Sequence, residues 1–197
     1  VVRYDVGECN GQLFACMFGA GFDARVVHMV ARGRGARMTK LRYVPYVARA
    51  LWGMPRWNIR VQVDESTLSE DARQVVVANT RNYGGPVQIA SAAGPRDGLL
   101  DAAALPLAGP LGLVGAACQA LLRRVHRAGG ASYGRGSEFT VTAESPDVPV
   151  QIDGEPAGTL PAQITLRAEA MRLMAPQGYE PLQPLPLDRE ARGQYGD

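Results

Sequence analysis

Val148-Pro149-Val150-Gln151-Ile152-Asp153-Gly154-Glu155 is the stretch on which the reading of this chain turns. Val148, Val150 and Ile152 alternate with Pro149, Gln151 and Asp153, so a strand here buries the first set and sends the second to a polar face. Asp153 then arrives where the strand runs out. Gly154 permits a turn with positive φ, and Glu155 places a second carboxylate beside the first. On these residues alone two readings stand. An Asp-Gly pair is good hairpin-turn chemistry and accounts for the pattern by itself. Two neighbouring carboxylates can also hold a metal or raise each other's proton affinity.

Outward from this stretch the chain reads as mostly β. Residues 1–6 and 12–17 flank a short polar connection containing Asn10-Gly11, the signature of a hairpin. Trp57, Ile59, Val61 and Val63 alternate with polar residues, as in a half-buried strand, whereas Val75-Val76-Val77-Ala78 is continuous, as in a strand covered on both faces. Leu99 to Leu107, carrying Asp101, predicts another strand. Phe139, Val141 and Ala143 predict one more, and Ile164 with Leu166, then Met171 with Leu173, two short ones. Helical spacing appears at Phe22, Val26, Val27 and Val30, at Leu41, Val44, Ala48 and Leu51, and at Val114, Ala117, Leu121 and Val125. The expected class is therefore mostly β with peripheral helices, as one domain over residues 1–176. A Pro-rich, polar stretch over 177–197 predicts a tail or linker.

Composition narrows the function. With 197 residues, 46% of them hydrophobic, the chain can bury a core. A net charge of +2 with interspersed signs argues against a nucleic-acid stripe, and no apolar run is long enough to cross a bilayer. Cys9, Cys16 and Cys118 lack CxxC spacing and His28 and His126 lack partners, so neither a disulfide framework nor a zinc site is expected, and a reducing cytoplasm is the default. The start at Val1-Val2-Arg3 predicts a piece of a longer protein. Arg32, Arg34, Arg37, Lys40 and Arg42 predict either a solvated basic loop or one drawn to phosphates and anionic headgroups. Tyr43, Tyr46 and Trp52 fit core packing or an interface-seeking helix side. Asp23, in a first helical turn, interacts favourably with the helix dipole and needs no catalytic role.

Five stations in order carry a family resemblance: Phe18-Gly19-Ala20-Gly21-Phe22-Asp23-Ala24; Lys40-Leu41-Arg42-Tyr43; Val77-Ala78-Asn79 leading to Tyr83-Gly84-Gly85; Asp97-Gly98-Leu99-Leu100-Asp101; and Gln151-Ile152-Asp153-Gly154-Glu155. Together they resemble the C-terminal domain of bacterial lipid kinases of the diacylglycerol kinase catalytic family, relatives of sphingosine kinases and NAD kinases. The resemblance implies a β-sandwich domain whose partner, an N-terminal domain with a Gly-Gly-Asp-Gly nucleotide loop, is absent from this sequence. It implies ATP and Mg2+ as cofactors, a lipid hydroxyl as acceptor, Asp153 as general base and Glu155 assisting through magnesium. Asn79, Gly84 and Gly85 would line the cleft, Asp23 would lie near the acceptor, and Asp97 with the Leu99 carbonyl would hold a structural magnesium. The chain alone is then expected to be inactive. Peripheral contact with anionic membrane is compatible with this reading, and the oligomeric state stays open. The rival expectations are a non-catalytic β-rich lipid-binding or regulatory module and an NAD kinase relative.

Overall fold

The computed structural model describes residues 1–33, 40–53, 55–83, 87–90, 92–107, 112, 130–176 and 178–179, and of residues 40–44, 83 and 87 the backbone alone. Gly84 and Gly85, the helix expected around Val114 to Val125, and nearly all of 177–197 lie outside the described residues.

The chain opens with β1 (Val2–Cys9) and β2 (Gln12–Phe14). Asn10 and Gly11 close this hairpin at φ 48° and 87°, the paired left-handed backbone of a type I′ turn. Residues 12–17 do not form one strand. At Ala15-Cys16 the chain leaves the first sheet and enters the second as β3 (Met17–Gly21). Helices α1 (Phe22–Arg32) and α2 (Lys40–Leu51) follow, then β4 (Ile59–Val63), β5 (Ser66–Ala72) and β6 (Gln74–Ala78). β7 (Asn82–Tyr83) and β8 (Val87–Gln88) pair only with each other. β9 (Leu100–Leu105), β10 (Ser132–Gly136), β11 (Glu138–Ala143), β12 (Pro149–Ile152), β13 (Glu155–Thr159) and β14 (Ala162–Leu173) complete the order.

Two six-stranded antiparallel sheets result, in the orders β2-β1-β14-β11-β4-β5 and β10-β9-β6-β3-β12-β13. Apolar residues from their facing sides meet in one core: Phe14, Ile59, Val61, Phe139, Val141 and Ile164 from the first sheet, and Phe18, Val75, Val77, Leu100, Val150 and Ile152 from the second. This is a β-sandwich. The other face of the second sheet is covered as well, because Phe22, Val26 and Val30 of α1 join Ala103, Leu105 and Tyr133 in a second core. The two patterns in the sequence follow from this asymmetry. β4 has one wet face and alternates, while β6 and β9 are covered twice and are buried throughout.

Two expectations are corrected. Pro149 and Gln151 do not face solvent; all four residues of β12 are buried, since α1 lies over that side. The strands expected at Ile164 to Leu166 and Met171 to Leu173 are one strand, β14, paired along β1 from Val2 to Cys9. Its register shifts opposite Tyr4 and Val6, where Glu169 takes φ 51°. The Asp5 carboxylate closes that bulge by accepting the Glu169 N–H at 2.8 Å.

Candidate active site

Between β12 and β13 the chain turns through Asp153 and Gly154, at φ 48° and 85°, so that Ile152 pairs with Glu155. This is a type I′ hairpin, and Asp-Gly is the chemistry such a turn prefers. The Asp153 side chain does more than tolerate the turn. Its Oδ2 accepts the Ala15 N–H at 2.8 Å, and its Oδ1 accepts the N–H groups of Cys16 at 2.9 Å and Met17 at 2.8 Å. The sheet-changing segment is thus pinned to the turn. An ionised carboxylate has about four lone-pair sites, so three backbone donors leave roughly one open. Asp153 and Glu155 are both exposed, on the rim of the second sheet.

Behind the turn runs a polar line beneath α1. Gln151, 2% exposed, accepts the Gly154 N–H through Oε1 at 2.7 Å and donates through Nε2 to Asp23 Oδ2 at 3.1 Å. Asp23 in turn forms a reciprocal pair with Gln74: its N–H donates to Gln74 Oε1 at 2.8 Å, and its Oδ1 accepts Gln74 Nε2 at 2.6 Å. Oδ1 also accepts the Ala24 N–H at 2.7 Å, in the first turn of α1. Gly19 lies under this line, and a Cβ there would come within 2.5 Å of both Asp23 Oδ2 and Gln151 Nε2. Asp23 is therefore built into the same structure as the Asp153 turn.

Asn79 approaches from β6. It is fully buried; its N–H donates to Cys16 O at 2.9 Å, and its Nδ2 donates to Ala15 O at 3.0 Å and Asp5 O at 2.7 Å. Asn79 and Asp153 thus hold the same Ala15-Cys16 peptides, one by their carbonyls and one by their N–H groups. Asn79 Oδ1 has no hydrogen-bond partner among the described residues. The adjacent Cys16 thiol is pushed up by burial and by the Asp153 charge.

Asp97 and Leu99 belong to a separate cluster. Asp97 Oδ1 accepts the Leu99 N–H at 3.2 Å, and Oδ2 pairs with Arg135 Nη2 at 2.5 Å. Arg135 Nε also reaches Asp101 Oδ1 at 3.1 Å, which in addition accepts the Tyr133 hydroxyl. Burial pushes the Asp101 carboxyl up to about 6 against the opposing pull of Arg135. Burial works against the Arg135 charge too, but Asp101 and Asp97 outweigh it and raise the guanidinium above its ordinary value. The loop is tied to the rest through Asp5, whose Oδ2 accepts the Gly98 N–H at 3.0 Å.

Asp153, Glu155, Asn79 and Asp23 are therefore drawn together around Ala15 to Met17 and the turn. Sequence reasoning gave no role to Asp5, Gln74, Arg135 or Tyr133 and placed Gln151 on a wet face. The available signal was a polar side chain inside an apolar strand, as at Asp5 and Gln74.

Fold and rim together define an antiparallel β-sandwich domain with helices on the outer face of one sheet and a carboxylate-bearing turn at its edge. The chain belongs to the family of YegS C-terminal NAD kinase beta sandwich-like domains, whose model matches residues 16–175. This bears out the family expected from the five motifs. Two solved structures from Bacillus anthracis str. Sterne that bear the name diacylglycerol kinase have the same fold. One superposes with TM-score 0.62 at 18% identity and the other with 0.59 at 18%. Each match covers 85% of this chain and 54% of that one, so the chain spans about half the length of these structures. Among curated proteins no match was found.

Proposed function

We propose that this chain is the acceptor-side part of an ATP-dependent kinase that phosphorylates a hydroxyl of a lipid, diacylglycerol or a related amphiphile. The observation that carries the reading is the fixed Asp153 carboxylate: exposed at the rim, held by three backbone N–H groups, and left with one lone-pair direction for an incoming hydroxyl. In the reaction the acceptor oxygen attacks the γ-phosphorus and the bond to the β-phosphate oxygen breaks. Asp153 takes the hydroxyl proton. A positioned carboxylate base contributes roughly 10²–10⁴-fold, so positioning and charge neutralisation supply the rest. Glu155, exposed beside Asp153, would help to hold a magnesium ion, which typically binds one or two carboxylates and completes its shell with water and phosphate oxygens. Bound there, the ion would neutralise charge on the transferring phosphoryl group. ATP would be held mainly by residues outside this chain.

Family membership and the fold shared with proteins named for diacylglycerol kinase support this reading. Among the described residues no helix is long and apolar enough to cross a membrane. Trp52, 88% exposed at the end of α2 with exposed Arg49 and Arg56 nearby in sequence, suits reversible contact with an anionic surface, where each basic residue adds about 1 kcal/mol.

A second reading draws on the same hydrogen bonds. Three donors on Asp153 also suffice for a scaffold, which favours a lipid-binding module without chemistry. The deciding experiment is phosphate transfer from ATP to diacylglycerol in mixed micelles by the full-length protein. Magnesium-dependent transfer that is lost in Asp153→Asn supports the kinase. Lipid binding without transfer to any of a panel of lipid alcohols leaves the module.

A further inference from the structure

The resemblance to lipid kinases implies a structural magnesium at Asp97 and the Leu99 carbonyl, and the residues present do not suit one. Both Asp97 oxygens are engaged, Oδ1 by the Leu99 N–H and Oδ2 by the Arg135 guanidinium at 2.5 Å. Asp101 Oδ1 accepts both Tyr133 and Arg135. Within this cluster Asp101 Oδ2 is buried with no hydrogen-bond partner among the described residues. A divalent cation that gathered this oxygen with Asp97 would lie against a guanidinium already bridging the two residues.

We propose that Arg135 is the built-in cation of this loop: its guanidinium, bridging Asp97 and Asp101, takes the place of a structural magnesium, and the loop is metal-independent. The planar fork of arginine suits the task, since one group presents Nη2 to one carboxylate and Nε to the other. β10 and β9 pair antiparallel with Arg135 opposite Asp101, so the register of the sheet delivers the guanidinium to the loop. The Gly94-Pro95-Arg96 approach in the sequence, poor in acids, agrees with a site that has no further negative ligands to offer.

The test reads the loop itself and is independent of the kinase reading. Hydrogen exchange of the peptide covering residues 94–101 is followed in the full-length protein without nucleotide, in EDTA and in excess magnesium. Wild type is expected to give the same exchange in both. Arg135→Gln, which leaves two facing carboxylates without their cation, is expected to exchange roughly tenfold faster in EDTA and to be slowed again by magnesium. Arg135→Lys, which keeps the charge, is expected to recover part of the protection without metal. Magnesium protection of the wild-type loop that disappears in Asp97→Asn would overturn the proposal. So would an Arg135→Gln loop that magnesium fails to slow, since the guanidinium would then not be standing in for a metal.

Discussion

Asp153 and Met17 hold each other by two hydrogen bonds: the Asp153 N–H donates to Met17 O at 2.9 Å, and Asp153 Oδ1 accepts the Met17 N–H at 2.8 Å. Asn-Gly and Asp-Gly are equivalent as hairpin turns, but an asparagine offers one oxygen where the carboxylate offers two. In Asp153→Asn the amide would face at least one of the Ala15, Cys16 and Met17 donors with donors of its own. A loss of about 1 kcal/mol is expected, which lowers Tm by roughly 2–4 °C. If Asp153 is the base of the proposed kinase, phosphate transfer by the full-length protein should fall by roughly 10²-fold or more at temperatures far below that Tm. A turnover loss that merely tracks the unfolded fraction would assign Asp153 to scaffolding.

Asp101 makes stability depend on pH. Burial pushes its carboxyl from the ordinary 3.8 up to about 6, so the folded protein binds this proton more tightly than the unfolded chain. The contribution is full below pH 3.8 and is lost as pH rises through about 6. Glu8, whose carboxyl is lowered by its hydrogen bond to Arg167, adds a dependence of opposite sign at the acid end, so the informative quantity is the difference between wild type and Asp101→Asn. That difference in urea midpoint should shrink from pH 4 to about 6 and then stay level. A constant difference across the range would remove Asp101 from the titration.

Gly21 is the hinge between β3 and α1, at φ 96°, with the Arg73 carbonyl oxygen where a Cβ would be. That carbonyl cannot retreat freely, because it accepts the Phe22 N–H at 3.2 Å at the start of the helix. Left-handed strain and a backbone collision add in Gly21→Ala, and a loss of roughly 3 kcal/mol or more is expected. A urea midpoint within error of wild type would show that the hinge yields.

What the sequence made legible was local. Alternation at Ile59 to Val63, continuity at Val75 to Ala78 and the turn chemistry of Asn10-Gly11 and Asp153-Gly154 each depend on neighbours a few residues away, and each appears as expected. What it hid depends on layers and long-range pairing. Gln151 looks wet in its own strand and is buried because α1, more than a hundred residues earlier, lies across it. Asp5 looks like a polar residue of an edge strand, yet it fastens a bulge in β14, the Asp97 loop and Asn79 at once. Arg135 meets Asp97 and Asp101 only through the pairing of β10 with β9. The turn at Asp153-Gly154 was readable by type and position; the groups that hold it were not.

Gln151 gives the last prediction, because its side chain joins the Asp153-Gly154 turn to Asp23. In Gln151→Leu the Gly154 N–H and the Asp23 Oδ2 each lose a bond. Leaving such groups unpaired costs about 1–3 kcal/mol each where they are buried, and Gly154 is exposed, so the total should sit near the lower end. Gln151→Glu behaves differently. It keeps the acceptor for Gly154 but sets a carboxylate against Asp23 Oδ2, so its deficit should ease when Asp23→Asn supplies a donor in the same protein. The coupling between the two substitutions, measured as a double-mutant cycle in urea unfolding, should therefore be favourable and of the order of 1 kcal/mol. Strict additivity would mean that Gln151 and Asp23 do not act on each other, and the line from α1 to the turn would have to be redrawn through Gly154 alone.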